Sequence, residues 1–497
     1  MAQSSVNPLT RIDFDLSFPF DVELSGVSDG SDDESVRVLT CISAARILPG
    51  RRLVCRAHWN GQNVFAKIFS YEEKARRDWQ RELDGVHSLT THKILTPKLL
   101  HSGVCADGAA RVLIFAAIEP AQTVAQAWQA LSEEKNAREE SNEHAQRQFM
   151  TDLVALFAQH HQAGILHQDP HLNNFLVSGG RLYTLDGGDV SLASEPVPRK
   201  VSRDNLALLF AQFYPRYEPL IYQSYSDYLR ARRWPSTDED VEKLSASIDE
   251  QRSQRLRRYL NKIFRSCSAF VCQESRSKTV IYDRRYESEA FSQLLDDPDR
   301  WLTDGGQLLK RGNSSTVGVA EVNGKRLVIK RYNIKDFRHG LKRALRTTRA
   351  ATSWRGAHML SSYGIATAPP VALIERHWGP IKRVSYFISE YVEGAASDQF
   401  FFSKKIDLES KQRVADEVVA LFRDLKRFKI GHGDMKASNI IISDGGRPVL
   451  NDLDAMKQYR TANAINEVHQ RDLSRFLENW KAEPRILALF AELSLSL

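Results

Sequence analysis

Residues 154–186 read VALFAQHHQAGILHQDPHLNNFLVSGGRLYTLD, and residues 419–452 read VALFRDLKRFKIGHGDMKASNIIISDGGRPVLND. Both stretches begin with Val-Ala-Leu-Phe, and ten residues after the Phe each has the pattern His-x-Asp-x-x-x-x-Asn. The histidines of that pattern, His167 and His432, lie 265 positions apart. A shared string with a shared spacing indicates that a longer segment of the chain is duplicated.

Matching features flank both stretches at nearly the same spacing. Upstream, each copy has one lysine inside an apolar segment: Lys67 in VFAKIF and Lys330 in LVIKRY, which lie 263 positions apart. Downstream, Asp186 and Asp452 lie 266 positions apart, and an Arg-Asp dipeptide follows in each copy. Because these matches occur in one order at one offset, they indicate a tandem duplication.

The hydrophobic pattern predicts the same elements in each copy. Each lysine segment follows an Asn-Gly dipeptide, at Asn60 and Asn323, which predicts that it is the second strand of a β-hairpin. Before the second motif, apolar residues recur at helical spacing, which predicts a helix with one buried face, at Val414, Val418, Leu421, Phe422 and Leu425. We therefore predict an α+β protein with two tandem domains, 1–295 and 300–497, each with strands in front and a short helical part behind.

Composition excludes several classes of protein. The chain of 497 residues is 42% hydrophobic and 26% charged, which is typical of a globular protein. No apolar run approaches the roughly 18–20 residues that cross a bilayer, and the first residues do not resemble a signal peptide. The five cysteines form no Cys-x-x-Cys pair, so we expect a reducing cytoplasm and no zinc cluster. The net charge of +7 is too small to indicate nucleic-acid binding.

The repeated motif suits phosphoryl transfer and resembles the protein-kinase-like fold. An Asp five residues before an Asn can accept a hydroxyl proton while the Asn oxygen binds Mg²⁺, and a later Asp supplies a carboxylate to the same metal. A strand lysine can hold nucleotide phosphates. The predicted set is Lys67, Asp169, Asn174 and Asp186 in the first copy, and Lys330, Asp434, Asn439 and Asp452 in the second.

The two copies differ around the lysine. Glu82 follows Lys67 by fifteen residues in a helical segment, which predicts a lysine–glutamate pair in the first copy. The second copy has no Glu between Lys330 and Glu375, so its lysine lacks that partner. We therefore expect two non-equivalent sites and favour the first copy as the active one.

The second copy has features of its own. Lys436 lies two residues after Asp434, where it could neutralise the transferring phosphate, and residues 311–318, RGNSSTVG, could offer backbone N–H groups to phosphates. Neither copy contains the full Gly-x-Gly-x-x-Gly loop, an Asp-Phe-Gly turn or an Ala-Pro-Glu segment. These departures argue against a regulated protein kinase with an activation loop.

Residues 309–354 resemble the lipopolysaccharide core heptose kinase and Kdo kinase family of Gram-negative bacteria. The string KRYNIK after the strand, the arginine-rich segment that follows, SYFISEYVEGA at 385–395, and the Asp-x-Asp turn at Asp452 and Asp454 carry the resemblance. It implies a kinase that uses ATP and Mg²⁺ to phosphorylate a sugar hydroxyl, usually of heptose, in the lipopolysaccharide inner core. It also implies that the reaction takes place at the cytoplasmic face of the inner membrane.

Basic segments suit an anionic glycolipid substrate. Residues 326–355 contain ten Lys or Arg and one acidic residue, with Arg338, Lys342 and Arg346 near one helix stripe. A second basic helix is expected at residues 252–265. Such faces attract anionic headgroups, and each basic residue near a charged membrane contributes about 1 kcal/mol of binding free energy. We therefore expect peripheral contact with the inner membrane and no nucleic-acid partner.

Two other functions fit the same residues. His432-Gly433-Asp434 is also similar to the aminoglycoside and choline kinases, which would make the chain a soluble small-molecule kinase. A pseudokinase scaffold that binds nucleotide or a partner without transfer is the other alternative. Metal-dependent nucleotide turnover separates an enzyme from a scaffold, and co-purification with membranes or lipopolysaccharide precursors separates the two enzymes.

Overall fold

A computed structural model describes residues 12, 16–25, 37–133, 139–193, 195–303, 305–333, 347–378 and 381–495. The structure is α+β, with helices and antiparallel sheets, as the sequence predicts. It divides into two compact units, Met1–Arg252 and Ser253–Leu497. The predicted helical stripe of Arg338, Lys342 and Arg346 lies outside the described residues.

The first unit is built on one antiparallel sheet in the order β1-β2-β3-β4-β6-β5. The β3–β4 hairpin turns at Asn60 and Gly61, whose φ angles of 49° and 71° explain the Asn-Gly dipeptide and confirm the predicted hairpin. The strands of this unit are β1 (Phe20–Leu24), β2 (Arg37–Leu48), β3 (Arg52–Trp59), β4 (Gln62–Ser70), β5 (Leu99–Val104), β6 (Ala110–Ala116), β7 (Gln122–Thr123), β8 (Ile165–His167), β9 (Phe175–Ser178), β10 (Arg181–Thr184) and β11 (Val190–Leu192).

Helices form the second half of the first unit. Their core contains the buried side chains of Leu153, Phe157, Phe210 and Tyr228, while α1 packs on the sheet through Val86. The helices are α1 (Glu73–Thr91), α2 (Val124–Glu133), α3 (Glu139–Gln162), α4 (Arg199–Phe210), α5 (Glu218–Ala231) and α6 (Asp238–Lys262), whose last residues belong to the second unit.

The second unit also has an antiparallel sheet, in the order β12-β13-β17-β18-β16-β15-β14. Its β15–β16 hairpin turns at Asn323 and Gly324, with φ angles of 52° and 72°, again as predicted. The strands are β12 (Phe270–Glu274), β13 (Lys278–Asp283), β14 (Gln307–Arg311), β15 (Ser315–Val322), β16 (Lys325–Tyr332), β17 (Pro370–Trp378), β18 (Ile381–Glu390), β19 (Gly394–Ala396), β20 (Ile430–Gly431), β21 (Ile440–Ser443), β22 (Pro448–Leu450) and β23 (Lys457–Gln458).

The boundary between the two units lies before the hairpin β12–β13, which differs from the predicted position. Strand β13 pairs with β17, with Ile281 opposite Leu373, and its Val280 and Tyr282 are buried in the core of this sheet. Residues 253–295 therefore belong to the second unit, whereas the sequence analysis assigned them to the first. The polar segment at 296–306, where the sequence analysis placed the boundary, lies inside the second unit.

The second unit, like the first, contains several helices. The predicted amphipathic helix is present as α10, and the five apolar residues that predicted it are all buried. The helices are α7 (Glu289–Asp296), α8 (Arg349–Tyr363), α9 (Ser397–Phe402), α10 (Leu408–Arg427), α11 (Ala462–Glu478), α12 (Pro484–Leu489) and α13 (Ala491–Ser494). Within the described ranges, no helix combines the length and the apolar character needed to span a bilayer.

Candidate active sites

In the first unit, one lysine joins a strand, a helix and a turn. Lys67 lies on β4, and its Nζ is 2.5 Å from Glu82 Oε1 and 3.1 Å from Asp186 Oδ1. Glu82 lies on α1 and is fully buried. The structure therefore brings together three of the site residues that the sequence pointed to.

The turn after Asp186 packs directly on α1. The backbone N–H groups of Gly187 and Gly188 each donate to the Glu82 carboxylate, at 3.1 Å. A Cβ atom at Gly187 would lie 2.6 Å from the backbone oxygen of Glu82, and one at Gly85 would lie 2.0 Å from the backbone oxygen of Gly187. Both positions therefore require glycine, which explains the glycine directly after Asp186.

Replacing Gly85 by Ala tests this close approach. The added methyl group would force α1 and the turn apart, so we expect the free energy of unfolding to fall by about 1–3 kcal/mol. This loss should exceed the gain of about 1 kcal/mol that Ala has over Gly inside a helix. Asp84→Ala, at the neighbouring exposed position, is the control. An unchanged urea midpoint for Gly85→Ala would show that the turn is not held against the helix.

The remaining residues of the first set surround one cavity of about 960 Å³. Asn174 Nδ2 donates to the backbone oxygen of Asp169 at 3.2 Å and to Asp189 Oδ2 at 3.3 Å. Lys67, Asp169, Asn174, Asp186 and Asp189 all line this cavity. Sequence reasoning missed Asp189, although the acidic residue three positions after Asp186 was a visible signal.

The charges of this site depend on one another. Burial alone would lower the pKa of Lys67, but the carboxylates of Glu82 and Asp186 raise it above its ordinary value. Burial also opposes ionisation of Asp186, but Lys67 outweighs it and holds the pKa of Asp186 below its usual range. Burial, followed by the carboxylates of Asp186 and Asp169, raises the pKa of Asp189. The carboxylates of this site thus outnumber its two nearby cations, Lys67 and Arg52.

The carboxylate and amide oxygens of this site fit Mg²⁺ as it is bound in enzymes that use nucleotides. The described side chains include no group of three or more His, Cys, Asp or Glu that could hold a metal by themselves. Mg²⁺ usually takes only one or two carboxylates from protein and completes its shell with phosphate oxygens and water. Asp186 and the oxygen of Asn174, which both line the cavity, could supply those protein ligands.

Buried histidines support the loop that carries Asp169. His161 on α3 contacts Tyr228 Oη through Nδ1, at 2.8 Å, and Asn205 Oδ1 through Nε2, at 3.1 Å. Asn205 in turn donates to the backbone oxygen of His167, at 2.6 Å. Burial lowers the pKa of His167 to about 3, so this histidine is neutral at pH 7. These contacts give the histidines a structural role.

The same histidines should make the first unit sensitive to acid. Burial lowers the pKa of His161 to about 4, below its value in the unfolded chain, near 6.5. The unfolded chain therefore binds the extra proton between these values, so stability is full above about pH 6.5 and falls toward pH 4. We expect His161→Gln to reduce the loss of unfolding free energy between pH 7 and pH 5 by on the order of 1 kcal/mol.

The control for this measurement is His87→Gln, which replaces an exposed histidine of α1 outside the cluster. Urea unfolding at several pH values gives the comparison. If His161→Gln and the unchanged chain lose stability in parallel as the pH falls, the buried histidine is not the acid-sensitive group.

In the second unit, the strand lysine binds the Asp-x-Asp turn. Lys330 Nζ contacts Asp452 Oδ1 and lies 3.5 Å from Asp454 Oδ2. Arg349, at the start of α8, contacts the same Asp454 carboxylate and lies 3.4 Å from the backbone oxygen of Ser314. Among the residues that the structure describes, no glutamate pairs with Lys330, and the start of α8 contributes an arginine that holds the turn. Sequence reasoning missed Arg349.

The two carboxylates of this turn have opposite pKa shifts. Burial opposes ionisation of Asp452, but Lys330 overcomes it and lowers the pKa of Asp452. Burial, together with the neighbouring Asp452, raises the pKa of Asp454 despite Lys330 and Arg349. Asp452 is thus the better anionic ligand of the two.

Asp434 differs from its counterpart Asp169. Asn439 Nδ2 donates to the backbone oxygen of Asp434 at 2.7 Å, which repeats the geometry of the first unit. The Asp434 carboxylate, however, lies 2.5 Å from Arg475 and 3.2 Å from Lys436. Within the described part of the chain, the Asp169 carboxylate makes no ion pair. Lys436 therefore lies beside Asp434, the predicted catalytic base of the second unit.

One comparison with known proteins bears on these sites. Residues 296–485 match the family model described as the Lipopolysaccharide kinase (Kdo/WaaP) family. The matched segment contains Lys330, Asp434 and Asp452, and it confirms the resemblance recognised in the sequence. Comparison with curated proteins gives no match. Because the matched family is one of kinases, it supports a kinase activity for this chain.

Proposed function

We propose, from the match of residues 296–485 to the lipopolysaccharide kinase family, that this chain is an ATP-dependent kinase of lipopolysaccharide core assembly. Its acceptor would be a sugar hydroxyl, that of a heptose in the inner core. Its place of action would be the cytoplasmic face of the inner membrane, reached by peripheral contact. The family match is the observation that carries the proposal.

We also propose that the chain contains two kinase-like domains. In both units a strand lysine contacts the aspartate of the later turn, Lys67 with Asp186 and Lys330 with Asp452. In both, an asparagine amide donates to the backbone oxygen of the aspartate five residues before it, at 3.2 Å and 2.7 Å. The recurrence of both contacts supports a duplicated catalytic framework.

Phosphate transfer would take place in the first unit. There the Asp169 carboxylate, which lines the cavity, would accept the proton of the sugar hydroxyl, because it is not neutralised by a described cation. Lys67, oriented by Glu82, would hold the phosphates of ATP. Asn174 and Asp186 would hold Mg²⁺, which supplies charge neutralisation for the phosphates when bound. In the second unit the Asp434 carboxylate is instead engaged by two cations, Lys436 and Arg475.

Core oligosaccharide from cells that lack this protein tests the proposal. We expect its mass to be lower by one phosphate group than that of core from normal cells. The purified chain with ATP and Mg²⁺ should restore that phosphate to the isolated core. A core of unchanged mass, together with phosphorylation of a small soluble aminoglycoside or choline, would overturn the proposal in favour of a soluble small-molecule kinase.

A further inference from the structure

The turn between β2 and β3 in the first unit has its backbone N–H groups already in use. Pro49 has no N–H group. Gly50 donates its N–H to the backbone oxygen of Ile12 at 2.7 Å, and Arg51 donates to that of Leu48 at 3.0 Å. Loops that cradle phosphates do so through free backbone N–H groups. This turn therefore cannot hold phosphates in the way that a glycine-rich loop does.

Arg52, the residue directly after this turn, lines the cavity of the first unit. Alternate side chains of a strand share one face, and Val54 and Arg56, which follow on β3, line the cavity as well. Val54 is paired with Lys67 of β4. Arg52 Nη1 lies 3.9 Å from Oε2 of Glu82, the carboxylate that also contacts Lys67. Arg52 thus lies at the end of the cavity where Lys67 is held.

The guanidinium group of Arg52 has donors left for a ligand. Its 3.9 Å separation from Glu82 is longer than a hydrogen bond, and its Nε is buried with no hydrogen-bond partner among the described residues. The side chain packs on the Phe69 ring, with the guanidinium carbon 5.9 Å from the ring centre. The neighbouring Arg51, in contrast, binds the Asp78 carboxylate. Arg52 is therefore held in the cavity wall by packing, while its hydrogen-bonding capacity is not used up.

The other two arginines that line the cavity are placed differently. Arg56 is four positions further along β3, about 13 Å away, and it is 3.7 Å from Glu119. Arg46 lies on β2 and is exposed. Of the three arginines, Arg52 is the one that the structure places beside the Glu82 carboxylate.

We propose that Arg52 binds phosphate oxygens of the nucleotide in the first unit, in place of the backbone N–H groups of a glycine-rich loop. This inference rests on the proposed function, in which Lys67 holds the phosphates of ATP. An arginine offers two parallel N–H donors to two phosphate oxygens, whereas a lysine acts as a point charge. Arg52 and Lys67 would therefore hold the phosphates together, one by geometry and charge and the other by charge.

Nucleotide binding to the full-length chain tests the proposal. Every protein in the test carries Lys330→Met, which removes the strand lysine of the second unit, so that isothermal titration calorimetry measures binding by the first. We expect Arg52→Gln to weaken ATP binding about tenfold and adenosine binding less than about twofold, because adenosine has no phosphate. Arg52→Lys keeps the charge without the paired donors, so it should weaken ATP binding by only about threefold.

Arg51→Gln is the matched control. It removes the same charge one position away, from a residue that does not line the cavity. We expect it to change the affinities for ATP and for adenosine by less than about twofold. Adenosine binding also shows whether the cavity of each variant is intact.

The results separate this proposal from the proposed function. Equal losses of ATP and adenosine affinity in Arg52→Gln would show that the arginine only supports the cavity, and equal losses of ATP affinity in Arg51→Gln and Arg52→Gln would show an effect of overall charge. Either result would overturn the role of Arg52. Full ATP affinity in Arg52→Gln would overturn it too, while the first unit remained a nucleotide site. Absence of ATP binding before any change at Arg52 would overturn the proposed function of the first unit, and this inference with it.

Discussion

Replacing Asp169 by Asn is expected to lower kcat for phosphate transfer about 10²- to 10⁴-fold, because the amide cannot accept the proton of the sugar hydroxyl. The KM for ATP should change little, since Asn has the same size and Lys67 keeps its contacts with Glu82 and Asp186. The assay measures transfer from labelled ATP to core oligosaccharide that lacks the phosphate. Thermal unfolding of the variant should match that of the unchanged chain.

Asp434→Asn is the matched substitution in the second unit. We expect it to keep kcat within about threefold of the unchanged chain, because Asp434 is neutralised by Arg475 and Lys436. Loss of transfer in Asp434→Asn with normal transfer in Asp169→Asn would reverse the assignment and place catalysis in the second unit. Loss in both variants would show that transfer needs both sites.

Replacing Glu82 by Ala should have the largest effect on stability. The change leaves the buried ammonium of Lys67 and the N–H groups of Gly187 and Gly188 without the acceptor that they share. Breaking a buried pair in this way costs about 3–5 kcal/mol. Urea unfolding measures the loss, and hydrogen exchange of the α1 amides assigns it to the first unit. The KM for ATP should also rise, because Lys67 is no longer oriented.

Glu73→Ala is the control on the same helix. Glu73 forms an exposed pair with Arg77 one turn away, so its loss should cost no more than about 0.5 kcal/mol. Glu82→Gln separates charge from hydrogen bonding, since it keeps an acceptor for the N–H groups but removes the negative charge beside Lys67. If Glu82→Ala unfolds at the same urea concentration as the unchanged chain, the buried carboxylate does not hold α1 to the turn.

Local patterns in the sequence were sufficient to predict much of the fold. The two Asn-Gly hairpins follow from the backbone conformation of adjacent residues, and helix α10 follows from the spacing of its apolar side chains. The contact between Lys67 and Glu82 follows from a spacing of fifteen residues across one strand and one helix. Together, such local patterns predict the α+β class.

Other features depend on contacts between distant parts of the chain, which spacing alone does not show. Arg349 reaches Asp454 across 105 positions, and both are polar residues of ordinary surface composition. Asp472, the aspartate of the repeated Arg-Asp dipeptide, accepts from the backbone N–H groups of His432 and Gly433, at 2.8 Å and 3.0 Å, and the spacing of the dipeptide does not show this contact. The boundary was misplaced for the same reason, since a polar turn resembles a linker whether or not the strands before it pair with later ones.

The hairpin β12–β13 decides where the second unit can be cut. A fragment that begins at residue 296, where the family match begins, would lose β13 and turn β17 into an open edge strand. That edge would expose unpaired N–H and C=O groups along Ala372, Leu373 and Ile374, which pair with β13 and are buried in the intact unit. Edges of this kind add strands from other molecules, so such a fragment should aggregate when it is expressed. A fragment that begins at residue 253 keeps the protecting strand and the end of α6. It also keeps Ile263, directly after α6, whose backbone oxygen accepts from the Trp354 ring at 3.1 Å.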